Sequence, residues 1–328
     1  MAGKAKAMGK KAGNRLKPVR TDPLESVGFV SKGDHNLLLD HKLQQEYFDK
    51  IVERYLSFCA HYDKDLDAAM ASLPTGPSSD ATRNPPISSR PATTTKGPNA
   101  PSPGPSAATE LSNLLLALRK LREAVISSDS RTPVDFSQRV YVFSVRVAIL
   151  AQHPPSYVPS LHYLIDTLHR SSYPLPESEL REFITYLILD YACREDNMIA
   201  AFELRAHARR RYEFQSKTVD RLLSALLQDN WFVFWKVRNG VDSYMRNVIN
   251  WAGDRVRRQA LKAVGSAYIN VEASWVLEGC TGENGWTWER LVETEKIGWE
   301  KEGEKIIIKR PKRKPEKKLD PITESAKP

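Results

Sequence analysis

The chain has 328 residues, of which 41% are hydrophobic and 27% are charged, and its formal net charge is +9. This length can form a sizeable core, and no window approaches the ~20 consecutive apolar residues that a membrane-spanning helix needs. The N-terminus also lacks the apolar stretch of a signal peptide, so we expect neither a membrane protein nor a secreted one.

The positive charge is concentrated at the two ends. Residues 1–20 hold seven lysines and arginines and no acid, and residues 305–318 hold eight against one glutamate. Without these two +7 segments, the rest of the chain has a net charge of −5. Basic blocks serve in nuclear import or in loose binding of phosphate backbones. The second block contains the candidate nuclear-import run Lys309, Arg310, Lys312, Arg313, Lys314, Lys317 and Lys318.

Composition divides the first third of the chain into three segments. Residues 1–35 are polar and basic, which predicts a disordered N-terminus. Residues 36–73 carry apolar residues at helical spacing and predict a helical arm, with Asp34 or Asn36 as its cap. Residues 74–109 contain nine prolines and no aromatic residue, which is typical of a flexible linker. The arm is either separate or docks back on the body across this linker.

Residues 110–256 predict successive helices with short connections. The run VYVFSVRVAIL resembles a strand, but its length favours a buried helix. Short connections make neighbouring helices antiparallel, so the predicted fold is all-α: a right-handed helical-hairpin solenoid with a small α+β end. The predicted helices are 110–126, 134–151, 157–169, 177–193, 196–212, 217–227, 231–237, 241–251 and 254–269.

Residues 257–310 predict a winged helix that caps the solenoid. The helix up to 269 places Ala260, Leu261, Val264 and Tyr268 on one apolar face, and two shorter helices are expected after it. A charged turn then leads into the β-branched run 306–308, so the order is helix, helix and hairpin-like strand. The shorter helices are predicted over 271–277 and 287–297. Residues 311–328 are expected to form a disordered basic tail.

Residue types that carry catalysis or bind metals are scattered. Cys59, Cys193 and Cys280 lie far apart without CxxC spacing, which predicts buried thiols rather than disulfides or zinc ligands. His162 and His169 are seven residues apart, but no cysteine or carboxylate cluster joins them. The sequence contains no HExxH, GxGxxG, Walker or GxSxG pattern. We therefore predict a protein that is not an enzyme and that binds no metal and no cofactor.

Three segments, in this order, resemble a PCI domain, the module shared by the proteasome lid, the signalosome and translation initiation factor three. They are DNWFVFWKVRNG (229–240), the helix RRQALKAVGSAYI (257–269) and IGWEKEGEKIIIKR (297–310). The resemblance covers residues 181–310 and is strongest to the short branch with signalosome subunit eight, proteasome regulatory-particle non-ATPase subunit eight and initiation factor three subunit k. The basic ends and the proline-rich linker depart from that pattern.

A second family is also similar. EFITYLIL (182–189) and DNWFVFWKV resemble segments of Sac/GANP-type messenger-RNA export factors. The two resemblances imply different functions. The first implies a scaffold or adaptor that binds other subunits of a multisubunit complex, themselves PCI-domain proteins, in the nucleus or cytoplasm. The second implies an RNA-binding export adaptor. Neither implies a small-molecule substrate or a membrane.

The PCI resemblance implies pairing through the edge of the winged-helix sheet, with residues 306–308 as the edge strand. Large tryptophans in this region either anchor an interface or fill the small core. The candidate protein-interface residues are Trp286, Trp288, Trp299, Ile306, Ile307 and Ile308.

Basic residues within helices define the alternative nucleic-acid surface. Interleaved aromatic residues could stack on bases, but arginines on helix faces also commonly pair with carboxylates of neighbouring helices. The candidate nucleic-acid contacts are Arg205, Arg209, Arg210, Arg211, Arg255, Arg257 and Arg258.

Overall fold

The computed structural model describes residues 24, 27–30, 36–73, 106–128, 131–170, 172–282 and 285–309. These residues are mostly helical, with a small three-stranded sheet near the C-terminus. The chain divides into two compact units, Met1–Ser144 (unit 1) and Val145–Pro328 (unit 2). Most of the predicted N-terminus, most of the predicted linker and the tail beyond Lys309 lie outside the described residues. The predicted disorder of residues 1–35 is wrong at Leu24, which is buried and whose carbonyl accepts from the hydroxyl of Tyr47 at 3.0 Å.

Unit 1 is built on two long helices and two shorter segments of helix. A 3₁₀ turn, Asn36–Leu39, precedes the first helix, whose N-cap is Asp40 because its carboxylate accepts from the amide of Lys42 at 2.9 Å. The predicted cap at Asp34 or Asn36 is therefore wrong, and the helix begins after Asp40 instead. The helices are α1 (His41–His61), α2 (Leu66–Met70), α3 (Ala107–Ser128) and α4 (Val134–Leu150), the last of which continues into unit 2.

The first helix docks back on α3, which decides between the two predicted arrangements of the arm. The side chain of Gln44 is fully buried and donates to the carbonyl of Leu38 and the hydroxyl of Ser128, both at 2.8 Å, while Thr132 donates to its Oε1 at 3.0 Å. A buried amide that lacked these partners would destabilise the fold. At the other end of α1, Arg54 holds Glu110 with two hydrogen bonds of 2.8 and 2.9 Å.

Unit 2 begins with helices whose positions follow the apolar periodicity of the sequence. The run VYVFSVRVAIL is helical in α4, as predicted, and the predicted bounds of the fourth and sixth helices match α6 and α8. The helices are α5 (Pro154–His162, continued by a π-helical turn, Tyr163–Leu168), α6 (Glu177–Cys193), α7 (Met198–Tyr212), α8 (Lys217–Leu227), α9 (Trp231–Asn239), α10 (Ser243–Ile249, followed by a 3₁₀ turn) and α11 (Gly253–Ala267).

A buried polar group joins α5 to α6. Asp190 is 1% exposed, accepts from the hydroxyl of Tyr157 at 2.6 Å and receives both sides of the Arg194 guanidinium at 2.6 and 2.7 Å. Burial raises the pKa of Tyr157, with the carboxylate of Asp190 as the next cause, so the hydroxyl stays protonated and keeps donating.

The chain after α11 forms a three-stranded antiparallel sheet and two short helices. They are β1 (Asn270–Glu272), α12 (Ala273–Thr281), α13 (Trp288–Glu295), β2 (Glu300–Glu302) and β3 (Lys305–Ile307). The strand order is β1-β3-β2, with Val271 and Lys301 both opposite Ile306. The sequence predicts a helix that begins at Val271 and does not predict β1, because a three-residue strand carries no periodicity of its own.

The sheet and helices α11 to α13 enclose one apolar core. Ile306, Leu291, Val276 and Cys280 are fully buried in it, together with the apolar face of α11. Tyr268 does not continue that face as predicted. The helix ends at Ala267, the backbone of Tyr268 turns to an extended conformation, and its side chain is 46% exposed.

Candidate protein-interaction surface

Trp286, Trp288 and Trp299 all pack in or against the core of the α11–β3 region. Trp286 is 9% exposed, and the guanidinium groups of Arg257 and Arg290 both lie over its ring, at 4.5 and 4.3 Å from the ring centroid. Trp288 and Trp299 are half-buried against the same core. This stack uses the indole face for cation–π contacts within the unit.

The Arg257 side chain links α11 to α13. It is 8% exposed and donates to Glu295, itself 6% exposed, at 2.6 Å, and to Asp254 at 2.5 Å. Arg258 lies 3.5 Å from the other oxygen of Glu295 but is 69% exposed. The buried pair therefore connects the two helices directly, whereas Arg258 adds a solvent-screened contact.

The predicted edge strand is wrong, because β3 is the central strand. Ile306 and Ile307 pair with β1 on one side and with β2 on the other, and Ile306 is fully buried. Ile308 lies just after the strand, and its amide donates to the carbonyl of Ile269 at 2.8 Å. Within the described residues the edges of the sheet are β1 and β2, and β2 consists of three exposed charged residues.

Apolar side chains that the sequence analysis did not select lie next to β1. Tyr268, Ile269 and Trp275 are 46%, 57% and 43% exposed, and the rings of Tyr268 and Trp275 are 5.8 Å apart. Sequence periodicity assigned Tyr268 to the core, and only the end of α11 turns it outwards. Grouped exposed aromatic residues of this kind commonly mark interaction surfaces.

The candidate nucleic-acid arginines fall into two groups. Arg205 pairs with Asp220 at 2.5 Å, and this hydrogen bond raises the pKa of the guanidinium. Arg255 pairs with Asp196 and donates to the carbonyl of Ala192 at 3.1 Å. Together with Arg257 and Arg258, these residues meet carboxylates of their own unit. The exposed group consists of Arg209, Arg210 and Arg211, and Arg211 covers the ring of Tyr212.

The basic run is described only at its first residue. The ammonium group of Lys309 donates to the carbonyl of Ser266 at 3.0 Å, so the run starts beside the end of α11. The remaining residues lie outside the described part of the chain: Arg310, Lys312, Arg313, Lys314, Lys317 and Lys318.

The cysteines are free thiols of unequal exposure. Cys193 and Cys280 are buried and Cys59 is half-buried. Burial raises the pKa of both Cys193 and Cys280 to about 12. A thiol is a nucleophile only as the thiolate, so neither buried cysteine has the character of a catalytic one.

We expect a thiol reagent at pH 8 to label one cysteine of the folded protein and three after unfolding. Cys59→Ser should abolish labelling of the folded protein, and labelling of Cys193 or Cys280 would contradict the expectation.

Because unfolded thiols ionise near pH 9 and these two near pH 12, their burial stabilises the fold fully below pH 9. That contribution is lost as pH rises from 9 to about 12, which urea titrations across this range would measure.

The two histidines on one predicted helix occupy different environments. His162 lies at the end of α5, 3.4 Å from Asp166, while Nδ1 of His169 accepts from the amide of Leu175 at 3.1 Å. Across the described ranges, no group of three or more histidine, cysteine, aspartate or glutamate side chains could hold a metal ion. No described helix is long and apolar enough to cross a membrane.

Comparisons with known proteins add no family to these observations. No protein-family model matches the chain, and no curated protein matches it.

Proposed function

We propose that the chain is a non-catalytic, PCI-type scaffold or adaptor subunit of a multisubunit complex such as the proteasome regulatory particle, the signalosome or an initiation factor. The observation that carries this proposal is the element order α11–β1–α12–α13–β2–β3 after a series of helices, with β1 beside β3. This is the order expected of a winged helix whose wing is the β2–β3 hairpin. Its partners would be other subunits of the complex, in the nucleus or cytoplasm.

Surface charge favours a protein partner for this winged helix. Residues 288–305, which cover α13 and the wing, hold six glutamates and four lysines or arginines, a net charge of −2. DNA-binding proteins neutralise phosphates with positive charge, so an acidic helix and wing suit a nucleic-acid groove poorly.

The free edge of β1 is the proposed docking edge. The amide of Ala273 donates to Glu304 and that of Ile308 to Ile269, both at 2.8 Å. With Val271 opposite Ile306, alternate residues of β1 bond to β3, so the N–H groups of Asn270 and Glu272 point away from the sheet. The exposed Tyr268, Ile269 and Trp275 flank this edge and could cover the side chains of an added strand.

We expect Glu272→Pro to weaken partner binding about tenfold, since it removes an outward N–H without breaking the bonds to β3. Glu272 has φ −71°, which proline adopts without strain, so the fold should persist. Glu272→Ala is the matched control because it removes the same side chain and keeps the N–H. The measurement is the yield of co-purified subunits with full-length tagged chain. Equal yields for the two variants would refute the docking edge.

A second candidate function, an RNA-binding or messenger-RNA export adaptor, is favoured by the exposed Arg209, Arg210 and Arg211. Lys217, at the start of α8, is also exposed and lines a small cavity with Arg209. RNA binding through these groups would weaken steeply as salt is raised, since phosphate contacts release counterions.

A further inference from the structure

The outer face of α7 and α8 connects two cavities of different character. One, of about 290 Å³, has a mixed lining: apolar side chains that include Met198, Leu226, Trp231 and Phe234, and polar ones that include Asp196, Asp229, Arg255 and Gln259. The second, of about 140 Å³, is lined by Arg209 and Lys217 together with Phe214 and the Arg205–Asp220 pair. We call the surface between and around them the α7–α8 face.

The two helices run antiparallel along this face. Arg205 of α7 pairs with Asp220 of α8 at 2.5 Å, and Met198 shares the larger cavity with Ala225 and Leu226. The start of α7 therefore lies beside the end of α8. Met198 and Arg209 are about 16 Å apart along the helix at 1.5 Å per residue, a length that three turns of a bound helix would cover.

The end of the face at the larger cavity carries several large apolar side chains that are exposed. Ile199, Leu227 and Phe232 each follow a residue that lines the cavity and are 74%, 64% and 68% exposed. Phe202, one turn along α7 from Ile199, is 36% exposed. Several large exposed apolar side chains that neighbour the lining residues of one cavity favour an interaction site, since a single exposed one needs no explanation.

The opposite end is basic. Arg209, Arg210, Lys217 and Arg221 are exposed, and in the described part of the chain none of them forms an ion pair. The nearby Asp220 is already paired with Arg205. Residues 198–221 hold six arginines and lysines against three acids, a net charge of +3.

We propose that the α7–α8 face binds an acidic amphipathic helix of a partner protein. Apolar side chains at helical spacing would enter the larger cavity beside Ile199 and Phe232, and aspartates or glutamates about three turns away would meet Arg209 and Arg210. This deepens the proposed adaptor function by specifying the chemistry of one partner. In this proposal the exposed arginines pair with carboxylates of the partner helix.

Two other occupants fit this face less well. RNA could contact the basic end but would leave the apolar side chains at the other end exposed. A second copy would be related by a two-fold axis in the contact plane. An axis along the face would place the basic end on the basic end, and an axis across it would place the basic end on the apolar end. Neither pairing is complementary. A partner that is apolar at one end and acidic at the other matches both.

The test is site-specific photo-crosslinking with full-length chain in cells. A benzophenone residue replaces the exposed Ser224, midway along α8, and a control carries it at the exposed Lys50 of α1. We expect the Ser224 position alone to yield a crosslinked partner peptide with apolar residues at helical spacing and a cluster of aspartate or glutamate. A yield no higher than that of the Lys50 control, or a crosslink to RNA, to a second copy or to a peptide without that pattern, overturns the proposal.

Charge and apolar variants supply the second arm. Ile199→Ser with Phe232→Ser, and separately Arg209→Glu with Arg210→Glu, should each lower the crosslink yield at least about tenfold. Lysine replacements of the partner's acidic residues should restore it in the arginine variant; failure of that rescue also overturns the proposal. These substitutions alter exposed side chains, so unchanged thermal unfolding checks the fold. Glu272→Pro alters the β1 edge and not the α7–α8 face. If Glu272→Pro loses partners while the α7–α8 variants keep theirs, this inference fails and the docking at β1 stands.

Discussion

Replacing Glu295 with alanine is expected to lower the free energy of unfolding of unit 2 by about 3–5 kcal/mol. The carboxylate is 6% exposed and accepts from Arg257, which is 8% exposed and lies under the ring of Trp286. Without Glu295, the one carboxylate that the guanidinium keeps among the described residues is that of Asp254, which is 70% exposed, so the guanidinium remains desolvated. Removing one partner of a buried pair costs far more than the pair itself contributes.

Urea titration of the full chain measures this effect, and two further variants test its cause. Arg258→Ala removes the exposed neighbour of Glu295 and should change stability by less than about 1 kcal/mol. Arg257→Met combined with Glu295→Leu should recover most of the loss, because an apolar pair of similar size leaves no buried charge. A Glu295→Ala variant as stable as Arg258→Ala would show that the pair is not desolvated.

Gly282→Ala is the second large expected effect, a loss of about 3 kcal/mol or more from strain and overpacking. Gly282 has φ +67°, and a Cβ at this position would overlap the indole ring of Trp235. That indole donates to the carbonyl of Cys280 at 3.2 Å, and Asn239 donates to Gly282 at 3.1 Å. The glycine therefore lets the end of α12 close on α9.

Gly279→Ala is the matched control for that variant. Gly279 lies three residues earlier, within α12, and a Cβ there meets nothing within 4 Å. Alanine should raise stability by about 0.5–1 kcal/mol, because it lowers the backbone entropy lost on folding. Thermal unfolding of both variants should thus give shifts of opposite sign, and a Gly282→Ala midpoint equal to that of the unsubstituted chain would contradict the packing argument.

Helix positions were predictable where apolar spacing and local caps agree. The bounds of α8 match because Ser216 accepts from the amide of Val219 at 3.3 Å and the apolar stripe runs from that cap to Leu227. The 3₁₀ turn before α1 displaced its predicted start, since Leu37 and Leu38 continue the apolar pattern into a segment that is not α-helical. Periodicity reports burial, and it does not distinguish one kind of turn from another.

The residues at the proposed docking edge were not predictable from the sequence. The spacing indicates strand at 306–308 but not that this strand is central, and it does not indicate that Tyr268, Ile269 and Trp275 are exposed. Strand order within a sheet depends on which strands pair, and β1 is too short to show the alternating pattern of a strand in the sequence. In the same way, nothing in the order of residues indicates that Arg205 meets Asp220 while Arg209 and Arg210 stay exposed.

The sequence by itself determined the helical character of this protein, the scattering of its chemically reactive residues and the concentration of basic charge at its ends, because spacing and composition act locally. The tertiary structure decided that α1 docks on α3, that β3 lies between two other strands, and which arginines meet a carboxylate. Those outcomes depend on pairs of groups far apart in the chain, such as Gln44 with Ser128 and Arg257 with Glu295. Their contact depends on how the helices and strands pack.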